Sequence, residues 1–246
     1  MKTVSFKNGR YYYPLGGYSL LRVLSFERFT NYFRDVPGGE VVVDYGAGDR
    51  PYEEMLRTKY QRYLAADHVA THSSFYHGKM PDILLKGASL PLGDSSVDCV
   101  ILTEVLEHIY EPRSVLAELR RVLKPGGRLL GTVPFAIQQH DEPYDFHRYT
   151  YFCLDKMFVD TGFKVQNLDY VGDMVAVGVT IGVGILDVVP RAVDKAHLKI
   201  VATGLRKLLR LPLFAYYYAS RAGLNPAKMS YFKRYPLGFS FCCVRP

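Results

Sequence analysis

Residues 138–150, "QQHDEPYDFHRYT", place two histidines and three acids within eight positions, His140 to His147. An imidazole titrates close to neutral pH, so His140, and after it His147, could take the proton of a hydroxyl group that has to react. Tyr144, Arg148 and Tyr149 stand in the same stretch as side chains able to meet a substrate. A second reading makes the stretch a lead-in to a helix, with Thr150 as its N-cap and an Arg148–Asp145 ion pair tying the loop down. His140, Asp141 and Asp145 are the loop residues that a metal ion could use, but adjacent positions in one loop are a poor ligand pattern, and no metal is expected.

A second chemistry-bearing stretch is "VVVDYGAGDRPYEEM", residues 41–55. Asp44 closes an apolar run, and Gly46 and Gly48 allow a tight turn and a close backbone approach to a ligand. A pyrophosphate would rest on the free N–H groups of the following helix. Here Pro51 removes one donor, and Glu53 and Glu54 put negative charge where a phosphate would lie, which Arg50 only partly offsets. The turn therefore suits an adenosine-type ligand without phosphates. S-adenosylmethionine fits, because its sulfonium is cationic and its amino group can meet an acid such as Asp44. Asp67 ends "YLAAD", 21 residues after Gly46, where a ribose-binding carboxylate belongs. A βα turn of purely structural use is the competing reading of the glycines.

The elements that must hold these residues follow a rhythm. Apolar runs occur at 41–45, 63–66, 82–85, 97–102 and 128–133, with helix-like segments between most of them. Such alternation means an α/β fold, a doubly wound and mostly parallel sheet covered on both faces. A helix is predicted near 23–35, another at 151–160 ending at Gly162, and a strand at "FKVQNLDYV". Residues 174–189 are nearly all apolar but shorter than the roughly 20 needed to cross a bilayer, so a buried or interfacial helix is expected. Residues 192–222 read as helix, and "LGFSFCCV" as a last strand returning to the sheet. The expected organisation is an aromatic, helical cap over 1–39, a core over 40–171, a basic helical insertion over 172–236 before the last strand, and that strand over 237–246. Tyr11, Tyr12, Tyr13 and Tyr18 are candidate lid residues, or else pack on the outer helices.

Of 246 residues, 48% are hydrophobic, enough for a folded core. Cys99, Cys153, Cys242 and Cys243 show neither metal-ligand spacing nor a disulfide framework and read as reduced. No apolar run follows Lys2 and Lys7, so no secretory leader is expected. The net charge of +7 is local: from Arg191 onward there are 11 Lys and Arg and one acid, Asp194, while the other 190 residues carry −3. In "HLKIVATGLRKLLRL" the apolar positions 198, 201, 205, 208 and 209 and the bases Lys195, Lys199, Arg206 and Arg210 follow different faces. Such a helix can lie on an anionic membrane or meet a partner; an ordinary surface helix packed on the sheet is the plainer reading. Despite Tyr216 to Tyr218 and Tyr231, no nucleic-acid module is present and nucleic acid is not an expected partner. The expected location is cytoplasmic, peripherally at the membrane.

Over about residues 40–170 the sequence resembles the class I S-adenosylmethionine-dependent methyltransferases with a type 11-like domain. "VVVDYGAG" resembles their first motif, "SLPLGDSSVDCVILTEVLEHI" their third and fourth strand-end region, and "EPRSVLAELRRVLKPGGRLLGTVP" the helix, turn and fifth strand that follow. The resemblance implies a seven-stranded sheet whose last strand is antiparallel, with "LGFSFCCV" in that place. It implies S-adenosylmethionine as cofactor and S-adenosylhomocysteine as product. Asp44, Gly46 and Gly48 would hold the methionine part, and Asp67, with His68 beside it, the ribose hydroxyls. Gly87, Ala88, Ser89 and Leu90 would face the adenine, and Thr103, Glu104 and Val105 would line the floor. Where the family often has an acid near the adenine amino group, this chain has Lys86-Gly87-Ala88. "HDEPYDFHRYT" resembles a stretch of methyltransferases tied to glycan or secondary-metabolite pathways. The expected reaction is methyl transfer to a hydroxyl, less so an amine, of a small molecule or saccharide, with positioning as the main source of acceleration. Glu107 reads equally as a solvated helix acid, and His108 as a complement to a helix dipole. An NAD-type oxidoreductase is opposed by Pro51 and the Glu53/Glu54 pair. A non-catalytic binding module at a membrane or partner protein is opposed by the intact Asp44, Gly46, Gly48 and Asp67. The oligomeric state stays open.

Overall fold

The computed structural model describes residues 5–7, 10–12, 20–68, 80–182, 211, 215, 219 and 234–246. Strands β1 (Ser5–Lys7) and β2 (Arg10–Tyr12) form a small antiparallel hairpin with Phe6 opposite Tyr11. Helix α1 (Leu20–Asp35) leads into the main sheet. Its strands are β3 (Gly39–Tyr45), β4 (Tyr60–Asp67), β5 (Ile83–Leu84), β6 (Val97–Thr103), β7 (Leu123–Pro134), β8 (Lys164–Val171) and β9 (Gly238–Val244). They lie in the order β5-β4-β3-β6-β7-β9-β8, parallel except for β9, which runs antiparallel to both β7 and β8. The doubly wound, seven-stranded sheet with an antiparallel last strand is thus present. The strand order reverses direction between β3 and β6, and the carboxyl ends beside that point are where open α/β sheets bind ligands.

β3 reads as a run of valines because an interior parallel strand is covered on both faces. Alternate side chains serve opposite layers. Val41, Val43 and Tyr45 pack with Leu116, Leu119 and Val122 of α3 (Pro112–Val122) and with Leu154 and Phe158 of α4 (Tyr151–Asp160). Val42 packs with Phe26, Phe29 and Phe33 of α1 and with Met55 and Leu56 of α2 (Glu53–Leu56), a single helical turn. The ammonium of Lys59 closes the end of α1 by donating to the carbonyls of Phe33 (2.8 Å), Arg34 (2.9 Å) and Val36 (2.7 Å). Positive charge there also complements the helix dipole. Tyr32 fastens α1 to the late strands: its hydroxyl donates to Asp169 Oδ2 at 2.5 Å and lies 3.2 Å from Ser240 Oγ.

Two elements differ from their expected form. The "LKPGG" segment, expected as a turn, belongs to β7 itself; Val97 pairs with Leu123 and Cys99 with Arg128, so the register jumps there. The end of the chain satisfies that irregular backbone: Gly126 N–H donates to the Arg245 carbonyl (2.8 Å) and Arg245 N–H to that of Gly127 (3.0 Å). The helix opened by the glycine turn is confined to Glu53–Leu56. Thr150 does cap α4, its hydroxyl accepting from Cys153 N–H at 3.3 Å, and Gly162 follows with φ 84°. The four cysteines form no disulfide, and Cys153 alone of them is exposed. Residues 174–182 are helical. Tyr13, Tyr18 and nearly all of the basic stretch 192–222 lie outside the described residues. Among the described residues no helix is long and apolar enough to cross a membrane.

Candidate active site

The glycine turn leaves β3 at the sheet's carboxyl edge. Gly46 has φ 74° and Gly48 φ 51°, conformations that favour glycine. A Cβ on Gly46 would overlap the Val105 side chain, so the turn lies directly against the segment that follows β6. Among the described residues a Cβ on Gly48 would meet nothing within 4 Å, and the same holds at Gly87, where φ is 66°. These two positions therefore border open space where a ligand can come close to backbone.

Asp67 ends β4 beside this turn. One carboxylate oxygen accepts Gly48 N–H at 2.8 Å, the other His68 N–H at 2.7 Å. A carboxylate has about four acceptor sites, so capacity for two hydroxyls remains. That matches a ribose diol, and the residues present fit S-adenosylmethionine here. Asp44 has a different setting. It is 1% exposed and accepts the Tyr63 hydroxyl at 2.8 Å. Burial pushes its carboxyl up to about 7, against that hydrogen bond and with added repulsion from Asp67. The adenine-side segment is anchored from α3: Leu90 N–H donates to Glu118 Oε1 (2.7 Å), and Arg121 donates to the carbonyls of Leu90 and Leu92. Arg50 does not wait for a phosphate; its guanidinium lies 3.8 Å from Asp82 and 4.0 Å from Glu53.

The second half of the site lies after β6. Thr103 ends that strand, Glu104 takes φ 54° while its N–H donates to the Thr132 carbonyl, and Leu106–His108 form a single 3-10 turn. The loop after β7 is strapped across that turn. Phe146 N–H (2.8 Å) and His147 N–H (3.2 Å) donate to the Glu107 carbonyl, and the Tyr149 hydroxyl to that of Leu106 at 3.0 Å. The straps bring His140 to His108, their rings edge to face at 4.9 Å. Glu107 lies beneath both. It is fully buried, and neither carboxylate oxygen has a hydrogen-bond partner among the described residues. Oε1 is 3.7 Å from His108 Nε2 and 3.9 Å from His140 Nε2. Burial, then the charge of Glu104, raise the Glu107 carboxyl well above the usual carboxylate range. Desolvation first, and the neighbouring His140, lower the pKa of His108.

The loop residues divide accordingly. Arg148 grips Asp145 with both ends of its guanidinium (2.5 and 2.6 Å), and this pairing holds the Asp145 carboxyl down at about 2. His140 N–H also donates to Asp145 (2.9 Å), so the ion pair fixes the loop that carries His140. His147 turns elsewhere, with Nε2 3.3 Å from the Tyr110 carbonyl and its ring against Tyr149. Tyr149 is buried, whereas Tyr144 is exposed and meets Phe146, whose ring also contacts Tyr110. Tyr11 lies in β2, and Tyr13 outside the described residues. The convergence of Glu107 and His108 on His140 was missed by sequence reasoning. The signal was the Glu-His pair in "VLEHI", whose partner comes from a distant loop.

Residues 43–131 match the family model described as a methyltransferase domain. A demethylmenaquinone methyltransferase of Corynebacterium efficiens is 33% identical over 96 residues, 39% of this chain and 42% of that relative. A Mycolicibacterium smegmatis protein named as an S-adenosylmethionine-dependent methyltransferase is 28% identical over 99 residues, 39% of this chain and 38% of the relative. The chain spans less than half the length of these curated relatives. In fold, it is similar to a chain in the complex between the Haloferax volcanii Trm112 methyltransferase activator and a methyltransferase, with TM-score 0.55, 19% identity, and 91% of this chain and 89% of that chain covered. The matched segment, residues 43–131, is thus similar to a methyltransferase domain, and the sheet that holds it has the fold of that solved structure.

Proposed function

We propose that the protein transfers a methyl group from S-adenosylmethionine to a hydroxyl oxygen of a small molecule or saccharide. The observation that carries the cofactor half is Asp67, whose carboxylate is fixed by the N–H groups of Gly48 and His68 beside a glycine turn open to a ligand. When bound, the cofactor supplies a methyl on a cationic sulfur, which leaves as a neutral thioether as the new C–O bond forms. Asp67 accepts the ribose hydroxyls. Gly46 and Gly48 let the backbone come close to the ligand, and Ala88, Ser89 and Leu90 border the adenine. Asp44 acts from beneath, as a buried acid that shapes the turn.

A hydroxyl acceptor is supported by the Glu107–His108–His140 group, which sits next to the turn through the Val105–Gly46 contact. The group offers nitrogen and carboxylate acceptors to a hydroxyl that must lose its proton; His140 is the residue that meets it. The exposed rings of Tyr144, Phe146 and Tyr110 lie beside this group and offer flat surface to a ring-bearing acceptor. The test is a panel of phenols, saccharides and amines incubated with methyl-labelled S-adenosylmethionine and the full chain. Label on oxygen, with His140→Ala cutting turnover at least about 100-fold while S-adenosylhomocysteine still binds, is the expected outcome. Label on nitrogen alone, or full activity of His140→Ala, contradicts it.

A further inference from the structure

We propose that Glu107, His108 and His140 bind a divalent first-row transition cation, of the Zn2+ or Mn2+ type, on the acceptor side of the site. One ligand atom from each of the three residues lies within 4.8 Å of the other two, and Glu107 Oε1 is 3.7 Å from His108 Nε2 and 3.9 Å from His140 Nε2. These spacings are too long for hydrogen bonds. Ligands about 2.1 Å from a common tetrahedral ion stand roughly 3.4 Å apart, so the two Glu107 edges close by a contraction of a few tenths of an ångström, while the edge between the histidines, within 4.8 Å, closes by a rotation of the partly exposed His140 ring.

The second observation is independent of the clustering. Glu107 is fully buried with both oxygens unsatisfied among the described residues. A buried carboxylate without a partner is costly. Arg148, whose positive charge acts on Glu107, is spent on Asp145. A proton on Glu107 would itself require an acceptor within hydrogen-bond reach. A cation between the three groups satisfies Glu107 and both ring nitrogens together.

The surroundings prepare the histidines as ligands. His108 Nδ1 lies 2.9 Å from the Tyr144 carbonyl, which can only accept, so the ring proton sits on Nδ1 and the Nε2 lone pair faces Glu107. His140 Nδ1 faces Asp145 Oδ2 at 3.3 Å, the Gln138 carbonyl at 3.4 Å and the Arg148 guanidinium at 3.5 Å, which leaves Nε2 on the side of Glu107. A carboxylate or carbonyl behind each ligating imidazole is the usual outer arrangement of a metal site. Two imidazoles and one carboxylate favour transition cations over Mg2+ or Ca2+, which prefer oxygen, and three protein ligands leave a position open. An acceptor hydroxyl in that position would lose its proton near neutral pH by the same polarisation that acidifies metal-bound water. With the cation bound, His140 serves as its ligand in place of meeting the hydroxyl proton itself, and the proton passes to solvent. The role at the acceptor rests on the methyltransferase reading above; the binding of the cation does not.

The test uses the full chain stripped by chelator and titrated with MnCl2, followed by electron paramagnetic resonance, and with ZnCl2, followed by metal analysis after gel filtration. About one equivalent per chain should bind. Glu107→Gln, nearly isosteric, and His140→Ala, in a partly exposed loop, should each weaken binding about 100-fold, and Arg148→Gln, acting through Asp145, about 10-fold. Absence of saturable binding of both ions, or binding unchanged in His140→Ala, overturns the proposal. Titration of the same samples with S-adenosylhomocysteine reports separately on the cofactor site, so failure of one reading is not mistaken for failure of the other.

Discussion

Asp67 and Asp44 end neighbouring strands and meet opposite conditions. Asp67 keeps capacity for a diol, so Asp67→Ala should weaken S-adenosylhomocysteine binding about 10- to 100-fold by calorimetry, since hydrogen bonds to a charged group contribute about 1.5–3 kcal/mol. Asp44 is buried on Tyr63 with its pKa pushed up to about 7. Its folded pKa exceeds the ordinary unfolded value near 3.9, so its contribution to stability is fully present below about pH 4 and lost as pH rises toward 7. Denaturation of the parent and of Asp44→Asn should show that slope only in the parent; parallel profiles from pH 4 to 7 would contradict it. The place of Asp67 at the end of β4 was legible because its distance from Gly46 is set by one βα unit. The burial of Asp44 was not, because Tyr63 reaches it from the next strand. Nor was the Glu107–His140 meeting, which depends on how a loop beyond β7 folds back over a turn beyond β6.

The elements were legible wherever one strand or helix carried its own signal. Valine runs marked β3, and the Thr150 and Gly162 boundaries marked α4. "LKPGG" misled because its backbone is satisfied by Arg245, at the other end of the chain. The closing of α1 was equally hidden, since Lys59 comes from the loop before β4. Lys59→Met should cost about 2 kcal/mol by removing a charged donor from three carbonyls, roughly 5 °C in melting temperature. An unchanged melting temperature would remove Lys59 from that role. At the turn, Gly46→Ala introduces a methyl into Val105 at a positive φ. It should reduce cofactor affinity even where the fold survives, because turn and post-β6 segment then move apart; calorimetry at a temperature below melting checks this.

The whole molecule is joined by its last strand. β9 inserts between β7 and β8, and Phe241 packs into the core against Phe158. Gly131 makes the fit possible: a Cβ there would overlap both the Leu102 carbonyl and the Phe241 ring. Gly131→Ala should therefore destabilise the entire sheet by about 3 kcal/mol or more, in one cooperative transition. A separate early transition would show β8 and β9 to be a detachable unit. The acceptor is the property least written in the chain's motifs, since one fold hosts many chemistries through its loops. What the sheet and turn do commit to is a cofactor with a ribose and no phosphates. Calorimetric titration of the full chain with S-adenosylhomocysteine and with NAD, repeated on Asp67→Ala, tests that commitment. Saturable binding of S-adenosylhomocysteine, lost with Asp67 and not matched by NAD, is the expected result; binding of NAD in its place, or S-adenosylhomocysteine binding indifferent to Asp67, would contradict it.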